Sequence, residues 1–168
     1  EILLAGFCDT CDALSSHQSR ERKLEILKDS HTGAFAIICC GLYLLVSYAL
    51  WREVNTAGES ALILALGPVL SRSYSGLAGV SWKNARGSGL LATFSPVMVL
   101  FAAGAMLLIN PVLGGAAVLG AAVTFLYYRV MAYRQFGGIT GDTEGFFLQL
   151  CECVMVLAML IGQKVWGV

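Results

Sequence analysis

Residues 32–51 read TGAFAIICCGLYLLVSYALW, twenty positions without one charged side chain. That is the length an α-helix needs to cross the hydrocarbon core of a bilayer, about 20 residues. Four further apolar runs follow at about 60–80, 90–109, 112–133 and 145–166. In hydrocarbon every backbone polar group must be satisfied within the segment, which favours helices. The predicted fold class is therefore all-α: a polytopic integral membrane bundle of about five transmembrane helices, preceded by a short interfacial helical segment.

The composition agrees. Of 168 residues, 57% are hydrophobic and 13% charged, and the mean hydropathy is +0.73. A soluble domain carries about 25% charged residues, so this chain has too little polar surface to cover itself in water. A net charge of zero leaves no basic field for nucleic acid, so no nucleic-acid partner is expected. We expect a single membrane-embedded domain over residues 1–168, with 1–31 a cytoplasmic acidic and interfacial segment and 32–166 the transmembrane bundle. The chain opens without Met inside an apolar run, and no charged region precedes a cleavage site. It is expected to lack a signal peptide and to be part of a longer protein.

The third and fourth runs are joined only by Asn110-Pro111, which predicts a tight turn. Gly104, Gly114, Gly115 and Gly120 are expected to let these helices approach closely. Crossing by crossing, the 1–31 stretch, the 81–89 loop and the 129–144 loop share one side. That side carries Arg20, Arg22, Lys23, Lys28, Lys83, Arg86, Arg129 and Arg134, eight of the eleven cations. The positive-inside rule makes it cytoplasmic.

The acidic residues gather on the same side. Asp9, Asp12, Glu21, Glu25 and Asp29, five of eleven acids, fall within about twenty positions ahead of the first long apolar run. Asp9 and Asp12 are three apart, so on a helix their carboxylates share a face. Hard oxygen donors at that spacing suit Mg2+, which is held by one or two carboxylates plus substrate phosphates. The alternative is that either Asp caps a helix. Four crossings later the loop Gly137-Gly138-Ile139-Thr140-Gly141-Asp142 returns to this face, and Asp142 there is placed to cap a helix or bind metal. Lys83 and Arg86 lie between. Acids, cations and a glycine-rich loop at one mouth suit a phosphate-containing substrate.

Segment 19–28 has a partial apolar face of Leu24, Ile26 and Leu27 beside four cations, and reads as a helix on the membrane surface or as a solvated connector. Arg72 and Glu152 are ionisable residues inside apolar runs, where such groups face a partner or an aqueous cavity. Cys8-x-x-Cys11 lacks a second ligand pair for zinc, so the six cysteines are read as small buried thiols.

Asp9-Thr10-Cys11-Asp12-Ala13-Leu14 and then Ser19-Arg20-Glu21-Arg22-Lys23-Leu24-Glu25-Ile26-Leu27-Lys28-Asp29-Ser30 with Gly33 closely resemble the cobalamin synthase family, also called adenosylcobinamide-GDP ribazoletransferase. The family pattern runs D-G-x-x-D-T-x-D, then S-R-E-R-x-L-E-I-M-K-D-S-x-x-G. Gly137-Gly138-Ile139-Thr140-Gly141-Asp142 with Gly145, Gln149 and Glu152 is similar to its G-G-x-T-G-D-x-x-G-A-x-x-Q-x-x-E. Ser71-Arg72 and Ala85-Arg86 with Gly87 and Gly89 look like its middle landmarks. Where the family has Asp-Gly ahead of the Asp pair, this chain has Ala5-Gly6, one acid fewer.

The resemblance implies a bacterial cytoplasmic-membrane enzyme with its mouth facing the cytoplasm. It would join adenosylcobinamide-GDP to α-ribazole or its 5'-phosphate, release GMP and use Mg2+. Under it, Asp9, Asp12 and Asp142 are candidate metal ligands, with Asp29 a further ligand or base. Lys28, Arg72, Lys83, Arg86, Gly138, Thr140 and Gly141 would hold phosphate, and Glu152 is a further buried polar group. Self-association into a homo-oligomer is compatible with the sequence. Two other readings are a CDP-alcohol phosphotransferase, whose G-x-x-x-D-x-x-x-D continuation is missing, and a non-catalytic transporter lined by Arg72 and Glu152, for which no inverted repeat is found.

Overall fold

The computed structural model describes residues 2–29, 31–82 and 89–167. Seven α-helices account for most of them: α1 (Ile2–Ser15), α2 (Arg20–Ile26), α3 (Ala34–Glu53), α4 (Glu59–Ser81), α5 (Gly89–Ile109), α6 (Pro111–Met131) and α7 (Gly141–Trp166). A π-helical turn, Ala132–Phe136, extends α6. No strand occurs among the described residues. α3, α4, α6 with its π turn, and α7 are long and apolar enough to span a membrane, and a shorter apolar helix runs over Ser95–Ile109. The bundle of about five apolar helices is thus present.

α3 shows why such a chain needs lipid. It buries only Ala36 and Leu50, while Phe35, Ile37, Ile38, Leu45, Tyr48 and Trp51 are exposed. In water this face would be an aggregation site; in hydrocarbon it costs nothing. α7 is the central helix and buries Phe146, Phe147, Cys151, Met155 and Met159 along its length. Phe147 stacks on Tyr128 with ring centroids 4.9 Å apart, and Trp82 stacks on Phe125 at 4.8 Å.

The turn at Asn110-Pro111 forms as expected. The Asn110 side chain accepts from the amides of Val112 and Leu113, both at 3.0 Å, and Pro111 sits where no amide is needed. Gly114 is required there, because a methyl group on it would stand 2.1 Å from the carbonyl oxygen of Met106. A methyl group on Gly120 would stand 3.3 Å from Ala158 and Val154 of α7. Gly104 departs from the expectation: it faces open space, with nothing within 4 Å. One glycine on the facing helix already supplies the room that the α5–α6 contact needs.

The structure adds detail to the N-terminal segment, residues 1–31: α1 packs into the bundle core. It buries Phe7, Thr10, Cys11 and Ala13, and Phe7 packs on Tyr43 of α3 and Phe146 of α7 at 4.9 and 5.4 Å. The acids drew attention away from the buried stripe at positions 6, 7, 10, 11 and 13, which has helical period. Cys8 and Cys11 contact Cys40 and Cys39 of α3 through their sulfurs, and all six thiols are free.

The two ends of the bundle are chemically different. At one end Gln163 donates to the Asn55 carbonyl and the Ser60 hydroxyl at 3.1 and 3.0 Å, its amide oxygen accepts from Asn55 at 2.9 Å, and Lys164 pairs with Glu53. The opposite end gathers α2, the π turn, the start of α7 and the end of α4.

Candidate functional site

Glycines bring the acids together. A methyl group on Gly6 of α1 would stand 2.9 Å from the Cα of Asp142, and one on Gly145 of α7 would stand 2.9 Å from the carbonyl oxygen of Leu3. α1 and the first turns of α7 therefore cross with backbone against backbone. Asp9 lies one turn after Gly6 on the same face, so the crossing delivers it to Asp142. Partial burial, then the charge of Asp142, then that of Asp12 push the Asp9 carboxyl above its ordinary value. Three carboxylates thus share one field with their charges unfavourably close.

Asp12 is placed by another glycine. Both of its carboxylate oxygens lie 2.2 Å from where a methyl group on Gly33 would be. Gly33 is the N-cap of α3, so the carboxylate rests against the positive end of a spanning helix.

Beside this acidic stripe opens a cavity of about 730 Å3, lined by Leu24, Leu27, Lys28, Ile139, Thr140, Gly141, Asp142 and Glu144. Lys28, Thr140, Gly141 and Asp142 meet there as the sequence predicted. Asp142 is not the helix cap. Thr140 is, in a reciprocal capping box with Thr143, which leaves the Asp142 side chain in the first turn, available to the cavity. The Thr140 hydroxyl is consequently engaged by the Thr143 amide at 3.2 Å. Gly138 is used structurally as well, its amide donating to the Ala132 carbonyl at 3.3 Å.

Other predicted site residues go elsewhere. Asp29 is exposed and accepts from the His31 amide at 3.0 Å, with the His31 ring 2.7 Å away; these hydrogen bonds hold its carboxyl below the usual range. Arg72 pairs with Glu152 at 2.6 Å. The Ser71 hydroxyl also donates to Glu152 at 2.9 Å, and Arg72 reaches the Pro68 carbonyl at 3.2 Å. The two ionisable groups within the apolar helices therefore satisfy each other, and neither lines the cavity. Lys83 and Arg86 lie outside the described residues.

Sequence reasoning missed Glu144. Its carboxylate lines the cavity and reaches α4, 3.5 Å from where a methyl group on Gly79 would be. The signal was its place two residues after Asp142 at the start of a helix. Leu24, Leu27 and Ile139, which form the apolar walls, were visible only as a partial stripe.

Among the described residues, no three His, Cys, Asp or Glu side chains converge to hold a metal by themselves. The donor set still fits Mg2+, which keeps waters and takes its remaining oxygens from substrate phosphate rather than from a protein cage. Asp9, Asp12 and Asp142 are all hard oxygen donors, the chemistry that this ion takes.

The family model described as cobalamin-5-phosphate synthase matches residues 3–160. The chain belongs to this family. Relatives called adenosylcobinamide-GDP ribazoletransferase include one from Lachnoclostridium phytofermentans, 42% identical over 98% of this chain and 67% of its own length. One from Pseudomonas putida is 35% identical over 95% and 68%. One from Listeria welshimeri is 30% identical over 99% and 72%. The chain thus spans about two thirds or slightly more of these cobalamin-5-phosphate synthase relatives. No solved structure matches it. The fold of this family member is accordingly read from its own packing.

Proposed function

We propose that this chain carries the active site of an adenosylcobinamide-GDP ribazoletransferase, the step that assembles the nucleotide loop of cobalamin. The observation that carries the reading is a cavity lined by Lys28 and Asp142, with Asp9 and Asp12 of α1 close enough for their charges to be felt at the same cluster. A diphosphate ester needs that pairing of metal-binding carboxylates and cation, and the volume accommodates a nucleotide.

In the reaction, an oxygen of α-ribazole (or of its 5'-phosphate) bonds to the phosphorus that bears the cobinamide ester. The bond from that phosphorus to the bridging oxygen breaks, GMP leaves with the electron pair, and the proton of an attacking hydroxyl passes to solvent or a base. Bound Mg2+ would polarise the phosphoryl oxygens and neutralise the leaving phosphate. Asp9, Asp12 and Asp142 are the residues that would hold it. Lys28 sits where it can bind phosphoryl oxygen as a point charge. The amides of Gly141 and Asp142, in the first turn of α7, are free of helix bonding and are proposed to donate to the same phosphoryl oxygens. Leu24, Leu27 and Ile139 exclude water from one side. Lys83 and Arg86, which follow α4 in the sequence, are proposed to add charge.

The mouth is proposed to face the cytoplasm of a bacterium, on the charge asymmetry of the loops. The test is chromatographic detection of GMP from adenosylcobinamide-GDP by the protein in lipid. Release should require both α-ribazole and Mg2+. GMP formed without α-ribazole would reduce the site to a hydrolase.

A further inference from the structure

The helix α2 joins the cavity to the π turn along one face, on which Arg20, Lys23, Leu24 and Leu27 follow at helical spacing. Leu24 and Leu27, with Lys28 just beyond, line the cavity, opposite Ile139, Thr140 and Gly141. The same face is tied down at its N-terminal end. Arg20 Nη2 donates to the carbonyls of Tyr133 and Arg134 at 3.2 and 3.3 Å. The end of a helix carries partial negative charge, which suits a guanidinium there. Lys23 is only 6% exposed, and its ammonium donates to the neutral amide oxygen of Gln135 at 2.5 Å. Burying an ammonium on a neutral acceptor is costly, and here it fixes one contact between segments more than a hundred residues apart. Gly137 completes the fit. Its φ of 77° suits glycine, and a methyl group there would stand 3.1 Å from Arg20 Nη1.

We propose that Arg20 and Lys23 are positioning residues: they latch α2 onto the π turn and so hold the two walls of the substrate cavity in register. They touch no reacting atom. α2 is then a strap over the cavity whose closed position depends on three side chain-to-turn hydrogen bonds. This rests on the ribazoletransferase reading of the cavity.

The test uses the full chain in nanodiscs, with variants Arg20→Ala, Lys23→Met and the conservative Arg20→Lys. Amide hydrogen exchange over residues 20–28 reports the latch without any substrate. It should quicken about tenfold in Arg20→Ala, the scale of losing a charge-assisted hydrogen bond. The KM for adenosylcobinamide-GDP should rise about tenfold, with kcat within about twofold, and Arg20→Lys should recover part of the loss. Unchanged exchange overturns the latch. A fall in kcat at constant KM also overturns the proposal, since that is what general loss of folded protein gives. If the parent protein releases no GMP, the reaction reading fails, while the exchange comparison still decides whether the strap is latched.

Discussion

Gly6 and Asp142 touch through backbone: the space a methyl group would take on Gly6 ends 2.9 Å from the Cα of Asp142 and 3.0 Å from its carbonyl oxygen. This contact sets the distance between α1 and α7, and with it the spacing of Asp9 from Asp142. Neither neighbour can yield, because both atoms are main chain. Gly6→Ala is expected to force the helices apart at a cost of about 1–3 kcal/mol. A lower Tm in detergent, together with loss of turnover greater than the loss of folded protein, checks it.

Gly33→Ala should behave differently. The methyl group would displace the Asp12 carboxylate, which lies 2.2 Å away in both oxygens and is the end of a side chain. We expect stability within about 1 kcal/mol of the parent, since a side-chain shift is cheap, but a weaker Mg2+ requirement curve, shifted to higher concentration. A large drop in Tm with an unchanged Mg2+ midpoint would contradict the placement of Asp12.

The raised Asp9 carboxyl predicts a pH dependence with a definite sign. Its causes are burial, Asp142 and Asp12. A folded value above the unfolded one means the folded state holds its proton longer. The associated stability is complete below the ordinary Asp value of about 3.9 and is lost as pH rises through the folded value. Without Mg2+, Asp9→Asn should therefore stabilise the protein at pH 7 and flatten its Tm between acidic and neutral pH. Added Mg2+ should raise the parent's Tm more than the variant's.

Arg72 and Glu152 form a structural pair within the apolar helices, 2.6 Å apart. Removing one partner leaves a charge without its counter-ion, at about 2–4 kcal/mol. Glu152→Met should be the worse single change, and Arg72→Met with Glu152→Met together should recover most of the stability. A double-mutant cycle by thermal unfolding measures the coupling; additive losses would show that the pair does not hold α4 to α7.

The apolar runs announced the spanning helices because length and absence of charge suffice for that inference. That Asp9 comes near Asp142 was also legible, from crossing counts and motif spacing. α1 was not, because its buried stripe is shorter than a span and is interleaved with the acids that define the site. Arg72 read as a phosphate ligand since sequence shows a charge in hydrocarbon but not the partner eighty residues away. Arg20 and Lys23 looked like surface cations for the same reason: their acceptors are on the π turn, and nothing in a linear pattern predicts a π turn there.

The most direct test of the account is a Mg2+ titration of GMP release from adenosylcobinamide-GDP and α-ribazole, run side by side on the parent and Asp12→Asn in lipid. We predict Mg2+-dependent release by the parent and a loss of about a hundredfold or more in the variant, the scale of removing one electrostatic element from a polar active site. Equal release by both proteins, or none from a folded parent, would contradict it.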